Sequence, residues 1–457
     1  MHNKYDVSII GGGPGGYVAA IKASQLGLKV ALFEEFKLGG VCLNWGCIPT
    51  KTLLKNAKVF KYVQHALDYG VVVDGKVSVD WSKMLARKNK VVKQLTGGVA
   101  GLLKKNKVDV YMGVGKVLSK NKLEVNGETL ETKNLILATG ASPLTPPIPG
   151  LKEGLQTGFV KTSKEMLDTE SIPEELVIIG GGVIGVEFAT IFSAMSKKVT
   201  IIEKLDGILP TVDDDVRDKY AQILSKDGIQ LLTSAEVKTI GKDSVTYLKD
   251  GKETTIKAST VLLSIGMKPN SEGLEVLNLK MDRASVVTNE KLETSVSGVY
   301  AIGDLNGKYM LAHVASTEGL VAVENICGHK TTMDYTQIPS AIYGSPEIGM
   351  IGLTEKEAKA QGKDYKVSTF PLAANGRSLG ENEPNGFIKI IFDKKYGEVL
   401  GAHMLAYNAS ELLGEIGVTM KLEGTAEEIA QTIHAHPTLS EIILEAAHGF
   451  DGKPIHM

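Results

Sequence analysis

Apolar positions near the start of the chain fall into two short runs joined by a helical pattern. Val7-Ser8-Ile9-Ile10 leads into Gly11-Gly12-Gly13-Pro14-Gly15-Gly16, and Tyr17-Val18-Ala19-Ala20-Ile21-Lys22-Ala23 follows with apolar and small residues at helical spacing. The second run, Lys29-Val30-Ala31-Leu32-Phe33-Glu34, closes on an acid. A short buried strand, a glycine turn, a helix and a second strand together predict a βαβ unit. The pattern then recurs: Leu176-Val177-Ile178-Ile179 enters Gly180-Gly181-Gly182-Val183-Ile184-Gly185, a helix is expected over Val186 to Ala194, and Val199-Thr200-Ile201-Ile202-Glu203 closes the unit. The first glycine and the closing acid carry the same spacing in both copies, 11 to 34 and 180 to 203.

A lone G-x-G-x-x-G is weak evidence, but here each copy has its strand, its helix and its terminal acid. Gly11, Gly13 and Gly16, and likewise Gly180, Gly182 and Gly185, permit a tight turn and the approach of backbone N–H groups to a pyrophosphate at a helix N-terminus. Glu34 and Glu203 stand where a carboxylate binds ribose hydroxyls. The sequence therefore predicts two dinucleotide sites.

Two more buried strands end in glycine, Leu135-Ile136-Leu137-Ala138-Thr139-Gly140 and Val261-Leu262-Leu263-Ser264-Ile265-Gly266, and each precedes a proline, Pro143 or Pro269. They read as the closing strands of the two nucleotide units, with an exit into a linker. Val299-Tyr300-Ala301-Ile302-Gly303-Asp304 is a further apolar strand, and from about Pro339 the texture changes to mixed strands and helices without a fingerprint.

Composition narrows the class. Lys+Arg total 51 against 53 Asp+Glu, for a net charge of −2, so nothing suggests a nucleic-acid surface or a polybasic membrane anchor. No apolar run reaches the ~18 residues needed to span a membrane, and the first strand begins too early to leave room for a signal or transit segment. A soluble, cytoplasmic protein is expected. The 50 glycines show no collagen-like period, and three cysteines cannot form a disulfide scaffold.

Two of those cysteines sit in Gly39-Gly40-Val41-Cys42-Leu43-Asn44-Trp45-Gly46-Cys47-Ile48-Pro49-Thr50-Lys51. The spacing allows a helical turn plus a bend, so the sulfurs can meet as a reducible disulfide. A zinc site would need further soft ligands that the neighbouring sequence lacks, and a pair of buried structural thiols is the remaining alternative. Lys51, four residues past the second thiol, would favour a thiolate. Cys327, in Glu324-Asn325-Ile326-Cys327-Gly328-His329, reads as a spare thiol at a helix end. In His434-Ala435-His436-Pro437-Thr438-Leu439-Ser440-Glu441, His436 and Glu441 have the makings of an oriented general base, although such a pair can equally be structural.

In order along the whole chain, GGGPGG with Glu34, GGVCLNWGCIPTK, ATG at 138–140, GGGVIGVE at 180–187, AIGD at 301–304, MLAH at 310–313 and HAHPTLSE at 434–441 resemble the flavin-dependent pyridine nucleotide–disulfide oxidoreductases. The resemblance implies an α/β fold with two Rossmann-like dinucleotide-binding domains and a C-terminal α+β dimerisation domain. The expected domains are 1–143 for FAD, 144–266 for NAD, 267–337 completing the FAD site, and 338–457 as the interface. FAD would be held by the first fingerprint, Glu34 and Lys51, with Gly115, Thr139, Gly140, Asp304 and Ala312. NAD would be held by the second fingerprint, with Glu187, Glu203, Val237 and Gly266, and Glu187 would lie close to Lys51 at the flavin. In relatives the thiol at Cys42 exchanges with substrate, that at Cys47 faces the flavin, and the base at His436, oriented by Glu441, serves the partner subunit's redox pair. An obligate homodimer follows, with no metal.

The ending Leu439-Ser440-Glu441 is similar to that of family members acting on dihydrolipoamide, which implies lipoyl-bearing domains of 2-oxoacid dehydrogenase complexes, or the glycine cleavage H protein, as partners. The alternative is a member acting on glutathione disulfide with NADP. Glu203 would repel a 2′-phosphate, and Glu203-Lys204-Leu205-Asp206-Gly207 contains no arginine, the next being Arg217, so NAD is favoured. Vicinal C-terminal cysteines of the mercuric-reductase kind are missing from the sequence. It departs from the family pattern at Val41, where Thr is usual, at Met267, where Arg is frequent, and at Val314, where Lys is frequent.

Overall fold

The computed structural model describes residues 4–457. The first sheet runs in the order 116–119, 122–125, 128–137, 4–10, 30–34, 109–112, with strand Val299–Ala301 also paired to Glu128–Leu137. Its centre is parallel: Lys4–Ile10 lies between Val30–Glu34 and Glu128–Leu137. These strands read as nearly unbroken apolar runs because helices or hairpins cover both faces, and Val7, Ile9, Leu32, Ile136 and Leu137 are fully buried.

Helix Pro14–Gln25 starts earlier than the pattern at Tyr17 suggested, and helix Val183–Ala194 starts at Val183 rather than Val186. The fingerprint residues themselves form the first turn. Pro14 occupies the first helical position, where its missing N–H is no loss. Gly15 and Gly319 bring helix Pro14–Gln25 against Ala312–Ile326, since a Cβ on Gly319 would come within 2.7 Å of the Gly15 carbonyl oxygen.

The second sheet is wholly parallel, in the order 230–232, 198–202, 175–179, 260–263, 160–161, with an antiparallel meander of 235–240, 244–249 and 252–257 beside it. The chain leaves the first unit along Ala141–Pro143 and returns antiparallel to it along Met267–Pro269. It then rejoins the first sheet through Val299–Ala301, so the second unit is an insertion in the first.

The third sheet is antiparallel, in the order 340–342, 347–352, 399–406, 387–393, 365–371. Helices Ala409–Lys421 and Glu441–His448 pack on it, and Ile342, Ile348 and Leu405 join the core of the second unit. Lys389 pins the two together: it is 2% exposed, with Nζ 3.0 Å from Asp213, 2.6 Å from Asp215 and 2.6 Å from Glu355. Such a buried cation is tolerated because several carboxylates replace its hydration. Among the described residues, no helix is long and apolar enough to cross a membrane.

Candidate active site

The two glycine turns share their backbone geometry. Gly11 has φ +105° and Gly180 +103°, a region that favours glycine. A Cβ on Gly16 would lie 1.8 Å from the Gly11 carbonyl oxygen, and one on Gly185 2.2 Å from that of Gly180, so each third glycine is required by packing. The middle glycines differ. A Cβ on Gly13 would meet only the Gly40 Cα, at 3.8 Å, and one on Gly182 nothing within 4 Å. The protein does not need glycine there, and the space above each helix N-terminus is open to a phosphate group.

The closing acids are held alike. The Gly12 N–H donates to Glu34 Oε2 at 2.7 Å and the Phe36 N–H to Oε1 at 2.8 Å. The Gly181 N–H donates to Glu203 Oε2 at 2.6 Å and the Leu205 N–H to Oε1 at 2.8 Å. The common spacing is thus what sets a carboxylate across each turn. These features fit two dinucleotides.

The redox segment is pressed onto the first turn. Gly40 has φ +58°, and a Cβ there would come 2.6 Å from the Gly13 Cα. Helix Gly40–Trp45 carries Cys42, Gly46 breaks it, and Cys47 opens helix Cys47–Gln64. Both are free thiols, hydrogen-bonded to each other. Cys47 is pushed down to about 7, first by the hydrogen bond from Cys42 and then by Lys51, against burial and Glu187. Cys42 is pushed up by the same hydrogen bond and by burial. The thiolate therefore rests on Cys47.

Lys51, one helical turn on, donates to both oxygens of Glu187 at 2.8 and 2.9 Å, and lies 4.6 Å over the ring of Tyr343. Glu187 is 3% exposed and also accepts from the Tyr343 N–H at 3.1 Å. Residues of all three sheet regions meet here. Tyr343 was not singled out from the sequence, and its apolar surroundings there give no sign of the contact.

Other expected flavin contacts surround the first unit. The Thr139 hydroxyl donates to the Asn270 carbonyl at 2.7 Å, Gly140 has φ +71°, and a Cβ on Gly115 would come 2.9 Å from the Phe33 Cβ. Burial, then the charge of Glu318, pushes Asp304 up to about 6. Glu318 is fully buried and accepts from the Gly303 N–H at 2.5 Å and from Asn306 Nδ2 at 2.9 Å, so it fixes the turn that presents Asp304. Ala312 opens helix Ala312–Ile326, whose N-cap, Leu311, offers no side-chain cap, while Cys327 is its C-cap. In the second unit Val237 is half-buried against the core and Gly266, at φ +126°, makes the bend before Met267. Val41 is 42% exposed beside the redox pair, whereas Val314 is buried.

At the far end of the chain, His436 Nδ1 lies 2.8 Å from Glu441 Oε1, and the Thr438 N–H donates to Glu441 Oε2 at 2.7 Å. Burial opposes ionisation of Glu441, but the Thr438 N–H and His436 hold its carboxyl below the usual range. The His436 side chain is 80% exposed, and among the described residues its Nε2 makes no hydrogen bond. Among the described residues no hydrogen bond or ion pair joins His436 to Cys42 or Cys47 within one chain. No group of three or more metal-ligating side chains occurs among the described residues.

Arg217, set aside in the sequence as distant from Glu203, folds back onto the same loop: a Cβ on Gly207 would lie 3.1 Å from its Nε.

Two open glycine turns, one of them against a segment carrying a pair of thiols of which one is a thiolate, define a nucleotide-dependent disulfide reductase. Residues 5–319 match the family described as pyridine nucleotide-disulphide oxidoreductase, and 338–447 match its dimerisation domain, so the chain belongs to that family. Its cofactors are FAD and NAD(H), and its C-terminal domain makes a homodimer. Among curated proteins it is similar to dihydrolipoyl dehydrogenase of Acholeplasma laidlawii, 60% identical over 71% of this chain and 97% of that one. It is also similar to dihydrolipoyl dehydrogenase of Bacillus subtilis, 43% identical over 100% of both chains. Among solved structures, the HOCl-induced flavoprotein disulfide reductase RclA of Escherichia coli aligns with a TM-score of 0.87 at 28% identity, covering 97% of this chain and 99% of that one.

Proposed function

We propose that the chain oxidises protein-bound dihydrolipoamide to lipoamide, with NAD⁺ as final acceptor. The observation that carries this reading is the Cys42–Cys47 pair with Lys51, which binds Glu187 two residues past the second dinucleotide turn. Relatives that align over nearly their whole length carry the dihydrolipoyl dehydrogenase name.

FAD would be held by the first turn, Glu34, Lys51, Gly115, Thr139, Gly140, Asp304 and Ala312, and NAD by the second turn, Glu187, Glu203, Val237 and Gly266. Substrate reaches Cys42 at the subunit boundary, where His436 of the partner subunit takes a thiol proton on Nε2. The resulting thiolate attacks Cys42 Sγ of the Cys42–Cys47 disulfide, and the S–S bond breaks with its electron pair left on Cys47. The partner's His436 gives up that first proton to water and takes the proton of the second substrate thiol, which attacks the substrate sulfur of the mixed disulfide. Lipoamide leaves, and the proton passes from the partner's His436 to the departing Cys42 sulfur, which is freed as a thiol. Lys51 and the Cys42 S–H stabilise the charge on Cys47. Bound flavin supplies the two-electron chemistry that links this thiolate to the nicotinamide.

The lipoyl group arrives on the lipoyl-bearing domain of a 2-oxoacid dehydrogenase complex or the glycine cleavage H protein, in the cytoplasm. The exposure of His436 supports a base that works on the partner copy. Assaying NADH and NADPH against lipoamide and glutathione disulfide tests the reading: NADH with lipoamide should be the efficient pair, and preferred turnover of NADPH with glutathione disulfide would overturn it.

A further inference from the structure

Two cations border the ribose end of the second nucleotide turn, and both are already engaged. Lys204, next to Glu203, has Nζ 2.9 Å from Glu236 Oε1, and Glu236 is also paired with Lys238. Arg217, in the first turn of helix Asp214–Lys226, reaches back over Gly207, where a Cβ would sit 3.1 Å from its Nε and 3.4 Å from its Cζ. Its Nη1 lies 2.7 Å from Asp214 Oδ1 and its Nε 3.0 Å from Asp218 Oδ1. Asp206, in the loop itself, also acts on it electrostatically. The side chain is 21% exposed, so the guanidinium is folded against the loop rather than extended into water.

A 2′-phosphate is recognised where a free guanidinium can offer it a fork of N–H donors. Arg217 stands at that end of the site, against Gly207, which is four residues past Glu203, but its Nη1 and Nε are engaged by two carboxylates. The cluster it belongs to is net negative, and together with Glu203 it presents a repulsive border to a phosphate dianion.

We propose that Asp214 and Asp218 are specificity-determining residues, which hold Arg217 closed against Gly207 so that the second site accepts NAD(H) and rejects NADP(H). The inference rests on the reading of that unit as the nicotinamide-dinucleotide site. Gly207 belongs to the device, because a side chain there would lift the guanidinium off the backbone. A merely structural ion pair in the first turn of the helix would affect stability and leave the choice of nucleotide unmoved.

The test is steady-state kcat/KM for NADH and NADPH with lipoamide, using the holoenzyme. Asp214→Asn/Asp218→Asn should raise the NADPH value at least about tenfold, the scale of one charge-assisted hydrogen bond, with NADH changed by no more than about threefold. Adding Arg217→Ala should remove the gain. No gain in the double variant, or a gain that survives Arg217→Ala, overturns the proposal. Asp218→Asn alone, at a side chain 65% exposed, keeps the test decisive if the double variant does not fold: part of the gain is expected and none would overturn it. Glu203→Ala separates the two readings. If it leaves the KM for NADH unchanged, the nucleotide-site reading fails; if it raises that KM while the aspartate variants leave the NADPH/NADH ratio unmoved, only the present proposal fails.

Discussion

Lys51 and Glu187 meet across the boundary between the two nucleotide units, Nζ 2.8 and 2.9 Å from the two carboxylate oxygens. One cation thereby serves two anions. It neutralises a buried carboxylate from the second unit, and it lowers Cys47 one helical turn away on its own helix.

Lys51→Met removes that shared charge. In wild type the Cys42 hydrogen bond and Lys51 hold Cys47 below the usual thiol range, so the long-wavelength thiolate-to-flavin absorption of partly reduced enzyme should grow with pH and reach half its height below that range. In the variant the midpoint should move up by about one unit or more, the usual effect of losing a nearby opposite charge. An unmoved midpoint would show that Lys51 is not what stabilises the thiolate.

His436→Gln should slow dihydrolipoamide turnover by about 10²- to 10⁴-fold, the range for loss of a general base, while NADH-to-dye electron transfer stays largely intact. Glu441→Gln should produce a smaller loss in the same direction, because it removes the carboxylate charge facing Nδ1 and leaves one amide oxygen where Nδ1 and the Thr438 N–H each had their own acceptor. Equal loss of both activities would contradict a base confined to the thiols.

The glycines of the second turn can be told apart by single methyl groups. Gly185→Ala puts a Cβ 2.2 Å from the Gly180 carbonyl oxygen and should destabilise the whole unit. Gly182→Ala meets nothing within 4 Å in the protein, so its melting temperature should be near wild type while the KM for NADH rises. Thermal melts beside NADH titrations distinguish the two.

Asp304 is raised from the ordinary 3.8 to about 6, so its favourable contribution to the folded state is present below pH 3.8 and lost as pH rises through about 6. The neutral Asp304→Asn apoprotein should therefore melt higher than wild-type apoprotein above that pH, with the advantage gone in acid. The same variant should release flavin more readily. A melting advantage independent of pH would contradict a buried, ionising carboxyl.

Both βαβ units could be read from the chain because their causes are local. Apolar runs mark buried strands, and the backbone clash at Gly16 or Gly185 admits only glycine. The helix starts were read late because Pro14, Gly15 and Gly16 look like turn residues, yet Pro at the first helical position costs nothing and the glycines are needed for helix packing. Tyr343 over Lys51, Lys389 between Asp213 and Glu355, and Arg217 on Gly207 were not readable. Each depends on how separate elements dock, and no spacing in the sequence encodes it. The contrast is sharpest at Arg217, which its distance in sequence from Glu203 seemed to exclude.

The central claim is that dihydrolipoamide electrons reach NAD⁺ through the Cys42–Cys47 pair. Its most direct test is NADH formation from dihydrolipoamide and NAD⁺ by purified, flavin-loaded wild type and Cys47→Ser at matched flavin content. Wild type should turn over, and Cys47→Ser should lose nearly all activity while keeping its flavin. A flavin-loaded wild type that makes no NADH, or a Cys47→Ser protein that makes it at the wild-type rate, would contradict the account.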